Sequence, residues 1–167
     1  LRDNQGGDLE YGAHLLRYLL DTTFTVVQGY KVLAEEEQRL KEVKGPCTGL
    51  MRPYKQVFKG TLIVLINGGS FSNSGIVSAC LRRYGRAYFI GEETGGNNTT
   101  LAGYIKTIRL PNTEMELQIP TRQFILNNGN PQQSHGTVPD VQIGGSLKKR
   151  LQGTDDAQEK ALQLGQQ

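Results

Sequence analysis

Residues 67–75 read Asn67-Gly68-Gly69-Ser70-Phe71-Ser72-Asn73-Ser74-Gly75 and directly follow the apolar run Leu62-Ile63-Val64-Leu65-Ile66. A buried strand there passes through a turn of small and hydroxyl residues into a helix. Ile76, Val77, Cys80 and Leu81 follow at helical spacing. That layout lifts a serine to the end of a sheet and aims the first free N–H groups of a helix at whatever the serine attacks. Ser72 is the candidate nucleophile. The backbone N–H groups of Asn73 and of Gly7, in the turn Asn4-Gln5-Gly6-Gly7-Asp8, are candidate oxyanion donors. A hydroxyl with two convergent donors is the minimum for acyl transfer. The plain alternative is that Ser72 or Ser74 only caps the helix.

A third glycine-rich turn spans residues 92–98. Loops beyond the carboxyl ends of parallel strands converge on one face, so the three turns are expected to meet there. Other chemistries fare worse. The glycines form neither a Gly-x-Gly-x-x-Gly pattern nor a loop with a phosphate-binding lysine. His14 and His135 are the only histidines, and neither has a second ligand at metal spacing, so no metal or cofactor is expected. His14 falls among helix residues and reads as a surface or packed group. Cys80 lies on an apolar helix face and reads as core. Cys47 sits in a Gly-Pro-Cys loop, and two cysteines leave the redox compartment open.

The elements that must position these groups can be read along the chain. Asp8 caps a helix running to about Leu20, with Tyr11, Leu15, Leu16, Tyr18 and Leu19 on its apolar side. Residues 24–32 alternate as a strand does. Residues 35–44 are charged, a short helix or an exposed excursion, and residues 54–58 form a short strand or extended lead-in. Residues 61–66 are the buried strand and 74–84 the helix after it. Residues 87–90 form the next strand, 104–110 and 114–121 a hairpin, and 138–143 an edge strand. Asp155 caps a last helix to about Leu164. Strand–helix–strand order around Ser72 predicts an α/β fold with a mainly parallel sheet.

The chain has 167 residues, enough for a single domain spanning 1–167. Its formal charge of +3 is diffuse, and tryptophan is absent. Arg82, Arg83 and Arg86, and separately Lys148-Lys149-Arg150, read as solvated surface, so nucleic acid is not an expected partner. No apolar run approaches the ~20 residues of a membrane span. The glycine turn at the very start calls for a preceding strand. The chain is therefore expected to be the later part of a longer protein, and to bury its start against a complementing N-terminal segment or a second copy.

Five ordered segments carry a resemblance: residues 1–7, 67–75, 85–87 with 90–96, 110–112 and 135–140. Together they resemble the tail-specific (C-terminal processing) serine peptidases and the related tricorn core protease. The resemblance implies a ClpP/crotonase-like core of ββα units. It also implies that the chain is the C-terminal part of a peptidase catalytic domain, its upstream part, with room for a PDZ-like region, lying elsewhere. By resemblance Ser72 is the nucleophile, Gly7 and Asn73 are the oxyanion amides, and the setting is a bacterial periplasm or cell envelope. The family's Ser–Lys members carry their lysine where this chain has Asn97, and an amide is no general base near neutral pH. The tricorn-like members use an upstream histidine and an acidic group near residues 133–134, where this chain has Gln133 and Ser134. Three readings stay open: the base lies in an upstream part, the protein is a peptide-binding pseudoenzyme, or a local group substitutes, His135 being the nearby imidazole. Lys106 falls on an alternating strand and is expected to face solvent.

The expected function is peptide-bond hydrolysis through an acyl-enzyme on Ser72, with peptides or unfolded protein as substrate. The isolated chain is expected to be weak or inert for want of a base. A non-catalytic peptide-binding module and a crotonase-like acyl-CoA enzyme are the alternatives.

Overall fold

Among the described residues ten elements follow one another: α1 (Leu9–Leu19), β1 (Val27–Val32), β2 (Ile63–Ile66), α2 (Asn73–Arg83), β3 (Tyr88–Gly91), β4 (Thr100–Arg109), β5 (Glu116–Leu126), β6 (Val141–Gln142), α3 (Leu147–Leu151) and α4 (Asp156–Gly165). They come from a computed structural model that describes residues 1–37, 39–45, 48–127 and 135–166.

The strands form two sheets. β2, β3 and β6 run parallel in the order β2-β3-β6, and β1, β5 and β4 run antiparallel in the order β1-β5-β4. A mainly parallel sheet was expected; among the described residues the parallel sheet holds only half of the strands. The hairpin at residues 104–121 is longer than its apolar pattern indicates. Leu101 pairs with Phe124 and Thr100 with Ile125, and the pairing of β5 with β1 then completes a separate sheet.

One core joins the layers. Val64 and Ile66 of β2 and Phe89 of β3 share it with Ile76, Val77, Cys80 and Leu81 of α2, Ala13 and Leu16 of α1, and Phe24 and Val26 ahead of β1. Each fully buried aliphatic or aromatic side chain contributes about 1.5–3 kcal/mol of transfer free energy. Burial pushes the Cys80 thiol up to about 12, as befits a core side chain.

The buried stripe of α1 differs from the expected one. Tyr11, Leu15 and Tyr18 are exposed, and Gly12, Ala13 and Leu16 are buried. Small residues let α1 approach α2 closely, so its inner face is set by Gly12 and Ala13 rather than by its largest apolar groups. Asp8 caps the helix, its carboxylate accepting from the Glu10 N–H.

Arg82 and Arg86 are structural ties rather than solvated surface, while Arg83 is exposed as expected. Arg86 donates to the carbonyls of Leu19 at 2.7 Å, Phe58 at 2.6 Å and Gly60 at 3.0 Å. Arg82 donates to Asp140 Oδ1 and to the Val138 carbonyl, both at 2.6 Å. Asp140 also accepts from the Phe89 N–H at 2.7 Å. Burial pushes the Asp140 carboxyl up, but Arg82 and the Phe89 amide outweigh it and hold the group below its usual range. The segment at residues 138–140 is thereby fixed to α2 and β3.

Candidate active site

Strand β2 ends at Ile66, and the backbone turns at once. Asn67 Oδ1 accepts from the N–H groups of Asp3 at 3.0 Å and Gly69 at 3.1 Å, and its Nδ2 donates to Asp3 Oδ1 at 2.9 Å. Ser70 Oγ accepts from the Asn67 N–H at 3.1 Å and donates to the Leu1 carbonyl at 2.8 Å. The Phe71 N–H donates to the Asn4 carbonyl at 3.1 Å. These bonds dock the first glycine turn onto the end of β2.

Ser72 follows with φ 54° and ψ −121°. A non-glycine residue at positive φ stores about 1–3 kcal/mol of strain, and such strain collects at functional sites. Ser72 stands at the N-cap position of α2, yet its side chain makes no capping bond. The capping alternative for Ser72 therefore fails, and the half-buried hydroxyl is left for other use. Ser74 is buried and its carbonyl accepts from Ser78 Oγ at 2.8 Å.

The turn at Gly6-Gly7 lies directly against this elbow. A Cβ at Gly6 would fall 2.6 Å from the Asn73 nitrogen and 2.9 Å from both the Phe71 oxygen and the Ser72 Cβ. Only glycine permits that approach, and its φ of +96° favours glycine as well. The N–H groups of Gly7 and Asn73 donate to no acceptor among the described residues. Both residues border a small cleft of about 170 Å³ with Gly6 and Asp8. Ser72 borders a larger one of about 420 Å³ on the other side of the elbow, whose walls include Phe71, Ile76, Leu101 and Ile105. The Ser72 cleft has largely apolar walls, and the unpaired amides of Gly7 and Asn73 border the smaller one.

The third turn joins the same face. Gly95 packs on the Gly68 carbonyl and Gly96 on the Phe71 ring. Asn97 lines the larger cleft, and its Oδ1 accepts from both the N–H and the hydroxyl of Thr99 at 2.7 Å. The amide is thus used to shape the loop.

His135 is held beside that loop but is not among the residues lining the Ser72 cleft. Its carbonyl accepts from the Asn98 N–H at 3.0 Å, and its Nδ1 lies 2.7 Å from the Gly136 carbonyl and 3.9 Å from Glu93 Oε1. Glu93 also accepts from the Gly136 N–H at 2.8 Å, so it braces the segment rather than standing free. Gln133 and Ser134, with Cys47, lie outside the described residues. His14 stacks on Tyr54 in an exposed cluster with Arg17 and Tyr18. Lys106 is exposed, as expected.

Sequence reasoning missed the side chain of Asn73. Its Nδ2 donates to the Asp8 carbonyl at 2.6 Å, across 65 residues of chain. A contact between distant segments leaves no local signal in the sequence.

Among the described residues no group of three or more His, Cys, Asp or Glu is arranged to hold a metal ion, and no helix is long and apolar enough to cross a membrane.

The model of peptidase family S41 matches residues 1–143. A carboxy-terminal-processing protease of Bartonella bacilliformis is 33% identical over 94 residues, covering 56% of this chain and 20% of the relative. A protein of Staphylococcus epidermidis named a probable CtpA-like serine protease is 25% identical over 175 residues, covering 99% of this chain and 33% of the relative. The chain thus spans a fifth to a third of the length of these curated relatives. Among solved structures, the tricorn protease superposes with a TM-score of 0.54 at 19% identity, covering 98% of this chain and 14% of that one. At that identity the likeness speaks for a shared fold.

Proposed function

The chain belongs to peptidase family S41, and on that premise we propose that it carries the nucleophile of a serine peptidase. The observation that carries the reading is the strained, uncapped Ser72 beside the unpaired N–H groups of Gly7 and Asn73. Ser72 Oγ attacks the peptide carbonyl while its proton passes to a base. The oxyanion forms against the two amides, the amine leaves with a proton, and water releases the acyl group from Ser72. The ClpP/crotonase-like assignment of the core belongs to the same reading, as does a bacterial cell-envelope setting. Extended peptides or unfolded protein are the substrate class, and the apolar walls of the Ser72 cleft favour an uncharged side chain next to the cleaved bond.

The base comes from outside the residues that line this cleft. Support comes from the free edge of β2, which has no partner on that side among the described residues. A groove of about 890 Å³ runs along it, walled by Leu15, Leu19, Val77 and Leu81 and closed by residues 1–3 and 153–155. The groove has the shape and apolar lining for a further strand. On this reading, residues 1–167 are the later part of a catalytic domain completed there by an upstream segment or a second copy.

A fluorophosphonate probe on the full-length protein tests the proposal. Labelling of Ser72, lost in Ser72→Ala together with hydrolysis of an unstructured protein, is the expected result. An unlabelled Ser72 in a protein that still binds peptides would favour the second reading, a peptide-binding module. That reading draws on Asn97, whose amide stands in the Ser72 cleft where a base would be needed.

A further inference from the structure

We infer that the side chain of Asn73, seated against Gly12, is a positioning residue that holds the Gly7 amide in place for oxyanion stabilisation. The catalytic part of this inference rests on the peptidase reading above; the structural part does not.

The Gly7 amide needs an outside hold. Gly7 has φ +144°, and nothing lies within 4 Å of where its Cβ would be. A glycine so placed has no side chain to help fix its backbone. Oxyanion donors act only when held in advance at about 2.7–3.1 Å from the developing charge. The next residue, Asp8, supplies the hold. Its carbonyl receives Asn73 Nδ2 at 2.6 Å and the Tyr11 N–H at 3.2 Å. Asn73 therefore carries one proposed donor on its backbone and ties down the segment bearing the other with its side chain.

The rest of the amide bears this out. Asn73 is buried, and its Oδ1 has no hydrogen-bond partner among the described residues. Burying an acceptor without a donor opposes folding, and alanine is the better helix former at the start of α2. What the asparagine offers against these costs is its bond to Asp8. Gly12 makes the arrangement possible, because a Cβ at that position would overlap Asn73 Oδ1. Alanine would otherwise suit the interior of α1 better than glycine. Two residues unfavourable for their own helices thus fit each other at one contact, beside the proposed oxyanion site.

The test uses the full-length protein and four forms: wild type, Asn73→Ala, Gly12→Ala and Ser72→Ala. Asn73→Ala removes the tie and keeps the residue-73 amide. Gly12→Ala displaces the tie without substituting residue 73 and favours the helix it sits in. Hydrogen–deuterium exchange of residues 4–8, read by mass spectrometry, should quicken about tenfold or more in both variants and stay at the wild-type rate in Ser72→Ala. In steady-state peptide hydrolysis, kcat should fall about 10- to 100-fold in both, with KM within about twofold of wild type. Unchanged exchange in Asn73→Ala and Gly12→Ala would overturn the inference. So would altered exchange with kcat intact in a protein whose hydrolysis depends on Ser72. If no form hydrolyses peptide, quickened exchange still establishes the tie, and only the peptidase reading falls.

Discussion

Gly6 touches Ser72 through the space where a side chain would be. A Cβ at Gly6 would lie 2.9 Å from the Ser72 Cβ and 2.6 Å from the Asn73 nitrogen, at a φ of +96°. Gly6→Ala therefore meets a backbone clash and a strained dihedral at once. The variant should lose about 2–3 kcal/mol of stability and at least 100-fold in fluorophosphonate labelling of Ser72. Thermal melts and labelling rates check both. A variant that melts and labels like wild type would mean that the two turns are not held together as described.

Ser72 itself is strained at φ 54°. Ser72→Gly relieves the strain and removes the hydroxyl. The variant should gain about 1 kcal/mol, or roughly 2–4 °C in Tm, while losing all labelling. A drop in Tm would show that the Ser72 side chain supports the fold and would weaken the case for a hydroxyl held for chemistry.

Asn97 lines the Ser72 cleft and presents an amide there. Asn97→Lys puts an amine in the same cleft at the cost of two hydrogen bonds to Thr99. Peptide hydrolysis by the chain should rise about tenfold or more, and should climb with pH as the amine loses its proton. Initial rates from pH 6 to 10 decide. Equal rates and equal pH profiles in the two proteins would mean that a base already serves Ser72.

Arg2 and Asp155 join the first turn to the last helix. The guanidinium donates to both carboxylate oxygens, at 2.8 and 2.6 Å, and Asp155 also accepts from the Gln158 N–H at 3.1 Å. The Arg2 hydrogen bonds chiefly hold the Asp155 carboxyl down, at about 2. A carboxyl depressed on folding contributes its stability above its unfolded value near 4 and loses it as pH falls from about 4 to 2. The side chains are 25% and 35% exposed, so solvent screening limits the gain to about 1 kcal/mol. Asp155→Asn should lower Tm by about 2–4 °C at pH 7, and the gap should close by pH 2. A gap that persists at pH 2 would assign the loss to the helix cap rather than the ion pair.

The strand–helix unit around Ser72 was legible because its signals are local: an apolar run, then small and hydroxyl residues, then helical periodicity. The caps at Asp8 and Asp155 were legible for the same reason. The buried face of α1 was not, because Gly12 and Ala13 weigh little in an apolar pattern yet decide how closely two helices approach. The ends of the long hairpin were missed because pairs such as Ala102 with Gln123 and Gly103 with Arg122 show no apolar alternation. The five-residue helix α3 carries too little periodicity to register. At the candidate site, residue types pointed to Ser72, Gly7 and Asn73. The tie from Asn73 to Asp8 and the role of Gly12 emerge only once α1 lies against α2.

The bonds that dock the first turn on the elbow have one more consequence, which concerns timing. Asp3 with Asn67, Leu1 with Ser70 and Asp8 with Asn73 are separated by 64, 69 and 65 residues. These parts of the surroundings of Ser72 cannot form within a short stretch of chain. On the peptidase reading, Ser72 stays an ordinary hydroxyl while the chain emerges from the ribosome, until the two glycine turns meet. Folding itself is then a form of latency: an unfinished copy has nothing with which to cut its neighbours.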